Sequence, residues 1–239
     1  MISCVYAMIE TSTFKFLRDL KQNNNRRWFE EHRGEYEAAR ANVLDVVDRV
    51  IAGIAGFDPP IIELDPVDCL FRIHRDVRFS ANKVPYKIHF GAYMTDRGRN
   101  ADRAGYYVHV QPGACMLAGG LYFPPARELK AVRQAILDDS ASLRRIISRP
   151  RFVKLFGRTL PGRRLKTAPR DVPRDHPDID LLQLTSFEIW TDFQDSRLRQ
   201  KNFADQAAGV FEAMHDYVHW LNRALDRFRA PSSSIVAHK

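Results

Sequence analysis

The runs KIHFGAYM (residues 87–94), GYYVHVQ (105–111) and CMLAGGLYF (115–123) decide the fold. Each is short, rich in aromatic or β-branched residues and bounded by turn-forming ones, the pattern of β-strands. The gaps between them are shorter than a parallel crossover needs, so the spacing predicts an antiparallel meander. LFRIHRD (70–76) reads as a strand before them and SFEIWTDF (186–193) as one after.

Helical periodicity flanks these runs. In STFKFLRDLKQ (12–22), Phe14, Leu17 and Leu20 share a face; Ser12 or Thr13 is the expected N-cap and Asn23, Asn24 and Asn25 the stop. From Arg26 to Ala55 apolar and aromatic residues recur every three or four positions, through Phe29, Tyr36, Val43, Val47 and Ile54. That predicts a single helix of about 45 Å at 1.5 Å per residue. Ala126–Ile147 reads as another, with Pro125 near its first turn. A Pro-rich, basic connection and a short helix in HPDIDLLQL (176–184) follow. The last helix carries one long stripe, including Phe203, Ala207, Val210, Met214, Tyr217, Leu221 and Leu225.

These elements predict an α+β fold: an antiparallel meander packed on one face by long N- and C-terminal helices. A single domain is expected over 12–229. Residues 1–11 read as a leader or short strand, with Met8 as an alternative start, and 230–239 as a flexible tail. No apolar run reaches the roughly 18 residues of a membrane span, and the N-terminus lacks a basic n-region. Cys4, Cys69 and Cys115 cannot all pair and show no CxxC spacing, which fits a reducing, cytoplasmic compartment.

The net charge of +8 is concentrated. Residues 144–174 hold eleven Arg or Lys against one acid, Asp171, so the rest of the chain is slightly acidic. A second concentration is FRIHRDVRFSANKVPYK (71–87), with five Arg or Lys and one carboxylate, Asp76. Strand alternation sends Ile88, Phe90, Ala92 and Met94 to one face of the sheet, with Tyr106, Val108 and Val110. The opposite face then collects Arg72, His74, Asp76, Lys87, His89, Tyr93, Tyr107 and His109.

NNNRRWFEEHRGEY, FRIHRDVRFSANKVPYK, GYYVHVQPG, GGLYFP and LPGRRLKTAPRDVPRDHPDIDLL occur in that order. Together they resemble the bacterial and fungal domain-of-unknown-function family 2461, from Ser12 to Leu225. The resemblance implies a single-domain α+β architecture and no reaction. Among its motif residues are Asn24, Trp28, Phe29, Arg72, Asp76, Phe79, Lys83, Lys87, Gly119, Gly120, Lys166 and Arg170. Where the family reads Pro-Arg-Gly-Tyr, this chain has PRDV at 169–172.

Four readings of the charge are open. The first is an anionic, phosphate-bearing ligand held by Arg72, Arg75, Arg78, Lys83, Tyr86, Lys87, Lys166 and Arg170, since guanidinium forks match phosphate oxygens. In a version with phosphoryl or hydrolytic chemistry, Asp76 is the candidate catalytic group; its surrounding cations should lower its pKa, which suits an orienting role better than a general base. The second is a divalent metal on His74, His89 and His109. The third is sequence-independent nucleic-acid binding by 144–174, with Phe152 and Phe156 either stacking on bases or lying in the core. The fourth is a structural cluster without a ligand. No cofactor is predicted.

Overall fold

The computed structural model describes residues 7–78 and 80–229. Cys4, Phe79, most of the expected leader and the expected tail lie outside the described residues. The chain runs through α1 (Thr11–Gln22), α2 (Arg26–Glu31), α3 (Arg33–Ala55), a 3₁₀ turn (Pro59–Glu63) and α4 (Pro66–Cys69). Three strands follow, β1 (Phe90–Met94), β2 (Gly105–Val110) and β3 (Cys115–Leu121). Next come α5 (Ala126–Ile147), α6 (Pro150–Phe156) and α7 (Ile179–Leu182), then β4 (Phe187–Phe193), α8 (Asp195–Leu198) and α9 (Phe203–Arg229). The strands form one antiparallel meander in the order β1-β2-β3-β4, so the fold is α+β as the alternation predicts. Among the described residues no helix is long and apolar enough to cross a membrane.

The chain packs as two compact units. The first holds the described residues up to Ala101, with Gly105–Gly119 and Trp190–His215; the second holds Asp102–Ala104, Gly120–Ile189 and the described residues from Asp216. In the first unit, β1 pairs with β2 so that Ala92 opposes Val108 and Met94 opposes Tyr106. All four are buried, each large side chain contributing about 1.5–3 kcal/mol by leaving water. Tyr36 of α3 stacks on Phe90 of β1 at 6.2 Å between ring centroids. Where α3 meets the start of α9, a Cβ on Gly53 would lie 2.7 Å from that of Ala208, so glycine permits the approach.

Three expectations about this unit need correction. The helix expected over 26–55 breaks at His32, whose backbone leaves the helical region at φ −114°. Its ring stacks on Trp28 at 4.1 Å, with Nδ1 2.8 Å from the Trp28 carbonyl oxygen, which also accepts the His32 backbone N–H at 3.0 Å. The N-cap position of α1 belongs to Glu10 rather than Ser12 or Thr13. Thr13 is buried and donates instead to Asn42 Oδ1 at 2.8 Å, tying α1 to α3.

Finally, LFRIHRD is not a strand of the sheet. It makes isolated bridges, Leu70 with Ala92 and His74 with Tyr86. Arg75 N donates to Pro85 O and Lys87 N to Ile73 O, each at 2.8 Å. Pro85 has no N–H to return, so the ladder cannot continue.

In the second unit, the basic connection after Ile147 is partly helical. Pro150 opens α6 from its first position, and Phe152 and Phe156 are buried with ring centroids 5.0 Å apart. Burial removes both as stacking platforms. Inside α5, Asp139 is extended (φ −156°), and its carboxylate accepts from Ser142 N at 3.1 Å as a cap would. Gly120 has φ +103°, and a Cβ there would lie 2.1 Å from the Phe187 carbonyl oxygen. Its missing side chain serves close packing against β4.

Asp171 has a φ of +69°. Asp tolerates this left-handed region better than most residues, and a β-branched side chain tolerates it worst. Asp171→Val is expected to cost about 1–2 kcal/mol, while Asp171→Gly holds or raises the denaturant midpoint. Equal midpoints for the two variants would show that this turn relaxes without strain.

Candidate anion-binding site

Cationic side chains converge on a hollow of about 530 Å3 in the first unit. Tyr36 and Arg40, one turn apart on α3, supply one wall, and Asp68 of α4 another. Phe71 and Arg72 come from the bridging segment, Lys87 from the approach to β1, and Arg99 and Asn100 from the β1–β2 connection. The backbone fixes these positions through Phe71 N to Gly91 O at 2.9 Å and Lys87 N to Ile73 O at 2.8 Å.

Lys87 Nζ donates to Arg72 O at 2.9 Å, and the Arg99 guanidinium donates to the Leu70 carbonyl. Both cationic heads lie over the Phe71 ring, at 5.4 and 5.3 Å from its centroid. Such cation–π contacts orient a charge without neutralising it. Among the described residues, none of Arg40, Arg72, Lys87 and Arg99 forms an ion pair. The wall thus has four cations against one acid, Asp68. Burial, then the Arg72 and Arg99 charges, push the Lys87 amine below its ordinary value.

Of the residues singled out from the sequence, Arg72 and Lys87 line this hollow and the others lie elsewhere. Arg75 donates to the Val84 carbonyl at 3.1 Å. Arg78 makes a two-pronged ion pair with Asp76, at 2.7 and 3.0 Å, and this hydrogen bonding holds the Asp76 carboxyl below its usual range. Lys83 donates to Val77 O at 3.0 Å and lines a second hollow of about 540 Å3 with Arg26 and Asn24. Tyr86 is 3% exposed and stacks on Phe29 at 4.0 Å, so its expected role as a surface hydroxyl donor gives way to packing. Lys166 and Arg170 are exposed in the second unit.

Sequence reasoning missed Arg40, Asp68, Phe71 and Arg99. The i, i+4 pairing of Tyr36 with Arg40 was the legible signal for one wall. Arg99 sits in a turn-rich stretch, TDRGRNADRAG (95–105), dense enough in charge to have been weighed.

The face opposite the apolar side of the sheet carries His89 and His109, with ring centroids 4.4 Å apart. The Tyr107 hydroxyl lies 2.9 Å from His109 Nδ1. His74 packs instead against Tyr86, at 5.2 Å between rings. Among the described residues no group of three His, Cys, Asp or Glu could hold a metal ion, so the geometry does not gather the three histidines proposed as ligands.

Burial, then the His109 and Lys87 charges, push the His89 imidazole down to about 4. A depressed folded-state pKa means that protonation favours the unfolded chain. The stabilising contribution is complete above about pH 6.5 and is lost as pH falls toward 4. About 2 kcal/mol is expected to disappear over that window, after allowing for partial exposure. Denaturant midpoints for wild type and His89→Phe between about pH 7.5 and 4.5 should diverge, the variant falling less steeply. Parallel curves would remove His89 as the cause.

In the second unit part of the basic stretch is matched by acids or carbonyls. Arg144 pairs with Asp178 and Asp180 at 2.8 and 2.7 Å. Arg149 pairs with Asp216, and Arg164 donates to the Asp180 carbonyl.

A family model described as "Conserved hypothetical protein (DUF2461)" matches residues 12–220. No curated protein and no solved structure matches the chain significantly.

Proposed function

The chain belongs to the DUF2461 family of conserved hypothetical proteins, and we propose that it binds an anionic, phosphate-bearing ligand in the hollow between α3, α4 and the β1–β2 connection. One observation carries this reading: Arg40, Arg72, Lys87 and Arg99 line a shared cavity with Asp68 as the acid among them. Like charges held together without ion-pair partners raise the local potential and draw an anion from solution. Arg72 and Arg99 offer forked N–H donors suited to phosphate oxygens, and Lys87 a point charge. The cavity volume falls within the range of small-molecule sites.

Asp76 is held by Arg78 and does not line the hollow, so the reading is one of binding rather than phosphoryl or hydrolytic chemistry. Cys69 and Cys115 are buried free thiols, pushed up to about 11 and about 12 chiefly by burial. A reducing, cytoplasmic setting accords with that and is part of the same reading.

Thermal-shift titration with inorganic phosphate, pyrophosphate, sugar phosphates and nucleotides tests the proposal. A phosphate ligand should raise the melting temperature, and Arg72→Ala should weaken its affinity about tenfold. No response to any of them, or a response that Arg72→Ala leaves unchanged, would reject this site.

A further inference from the structure

We infer that Lys87 is a reactive amine that captures a small phosphorylated aldehyde or ketone as an imine, with the phosphate resting on Arg72 and Arg99. This deepens the proposed anion site and rests on it. Lys87 differs from Lys15 in its partner, and from Lys83, which also donates to a carbonyl, in its partial burial. Lys15, for comparison, is held as an ammonium by Asp19 at 2.6 Å. Lys87 Nζ instead lies on the cavity wall, and its hydrogen bond goes to a neutral acceptor, the Arg72 carbonyl at 2.9 Å. A neutral amine still donates to a carbonyl, though more weakly than an ammonium, so losing the proton weakens that bond but breaks no ion pair. The Phe71 ring, 5.4 Å away, adds an apolar surface.

The cations around the cavity push in one direction, and Asp68, the one acid on the wall, opposes them. Arg40 comes from α3, Asp68 from α4, Arg72 from the bridging segment and Arg99 from the β1–β2 connection. Burial and the Arg72 and Arg99 charges favour the neutral amine. An amine desolvated beside other cations is the arrangement that activates lysine toward carbonyl carbons. The same cations would hold the phosphate, so the groups that release the proton also place the electrophile.

The step balances without a further reactant. Lys87 loses a proton to solvent, and the Nζ lone pair attacks the carbonyl carbon. The C=O π pair moves to oxygen, which takes up a proton as the nitrogen gives one up, leaving a neutral carbinolamine. Loss of water, with the remaining nitrogen proton released, leaves the C=N bond.

Pyridoxal 5′-phosphate followed by borohydride reduction and peptide mapping by mass spectrometry is the test, run on the full chain with unphosphorylated pyridoxal in parallel. Lys87 should be labelled at least about ten times faster than Lys15 or Lys166. The adduct should vanish in a folded Lys87→Arg variant, and pyridoxal should label Lys87 more slowly than its phosphate does. Labelling spread evenly over the surface lysines, while inorganic phosphate still binds, would overturn the imine and leave the anion site standing. Selective labelling at equal rates by both aldehydes would overturn the phosphorylated substrate class and the anion reading with it.

Discussion

Gly120→Ala is expected to remove about 3–5 kcal/mol of stability, enough to leave much of the chain unfolded. Two costs combine. The φ of +103° is one that residues with a Cβ rarely adopt, and the strain is about 1–2 kcal/mol. The new methyl would also sit 2.1 Å from the Phe187 carbonyl oxygen and 3.2 Å from the Tyr217 ring. Neither neighbour can give way easily. The Phe187 oxygen accepts the Tyr217 hydroxyl at 2.9 Å, and both residues are fully buried. Moving that carbonyl would therefore break a hydrogen bond that no water can replace. Chemical denaturation of Gly120→Ala beside Gly34→Ala checks this. Gly34 is helical, and a Cβ there meets nothing within 4 Å, so that control should be neutral or slightly stabilising. Similar midpoints for the two variants would mean that β4 shifts to accept the methyl.

That carbonyl also marks the limit of what the residues alone disclosed. Alternation in 88–94 and 106–110 predicted the buried faces of β1 and β2 because burial follows a period of two in any sheet with one apolar side. The long stripe of α9 was legible for the same kind of reason. By contrast, the partner that forces glycine at 120 lies sixty-seven residues away in the chain, so sequence spacing held no trace of it. His32 shows a different limit. Its position suited the helical stripe, but its ring turns back onto Trp28 and shares that carbonyl with its own backbone N–H, a local contact that periodicity does not record.

The site divided along similar lines. FRIHRDVRFSANKVPYK was singled out as a place where cations gather, and in the fold its charges divide. Pro85 stops the ladder, and Arg75, Arg78 and Lys83 turn to carbonyls or to Asp76 within that same segment. Arg72 and Lys87, at its two ends, meet Arg40 and Arg99 from other elements. Local charge density thus pointed to the region, while the tertiary fold decided which charges were left without carboxylates.

Reversing two of those charges should have the largest effect on binding. With Arg72→Glu and Arg99→Glu together, the cavity wall passes from four cations and one acid to two cations and three acids. Each replacement removes a charge-assisted donor, a loss of about 1.5–3 kcal/mol, and adds a repulsion of about 4 kcal/mol at 4 Å before salt screening. Affinity for a phosphate dianion is expected to fall by at least about a thousandfold, beyond detection in calorimetry. Lys87, now facing carboxylates, should hold its proton to higher pH and lose its selective labelling. Because Arg99 also donates to Leu70 O, Arg72→Glu alone is the companion variant, its side chain being exposed and bonded to no carboxylate. It should melt as wild type does and still lose about a hundredfold in affinity. If both variants bind phosphate as tightly as wild type, the anion rests elsewhere, and the hollow lined by Arg26 and Lys83 becomes the place to look.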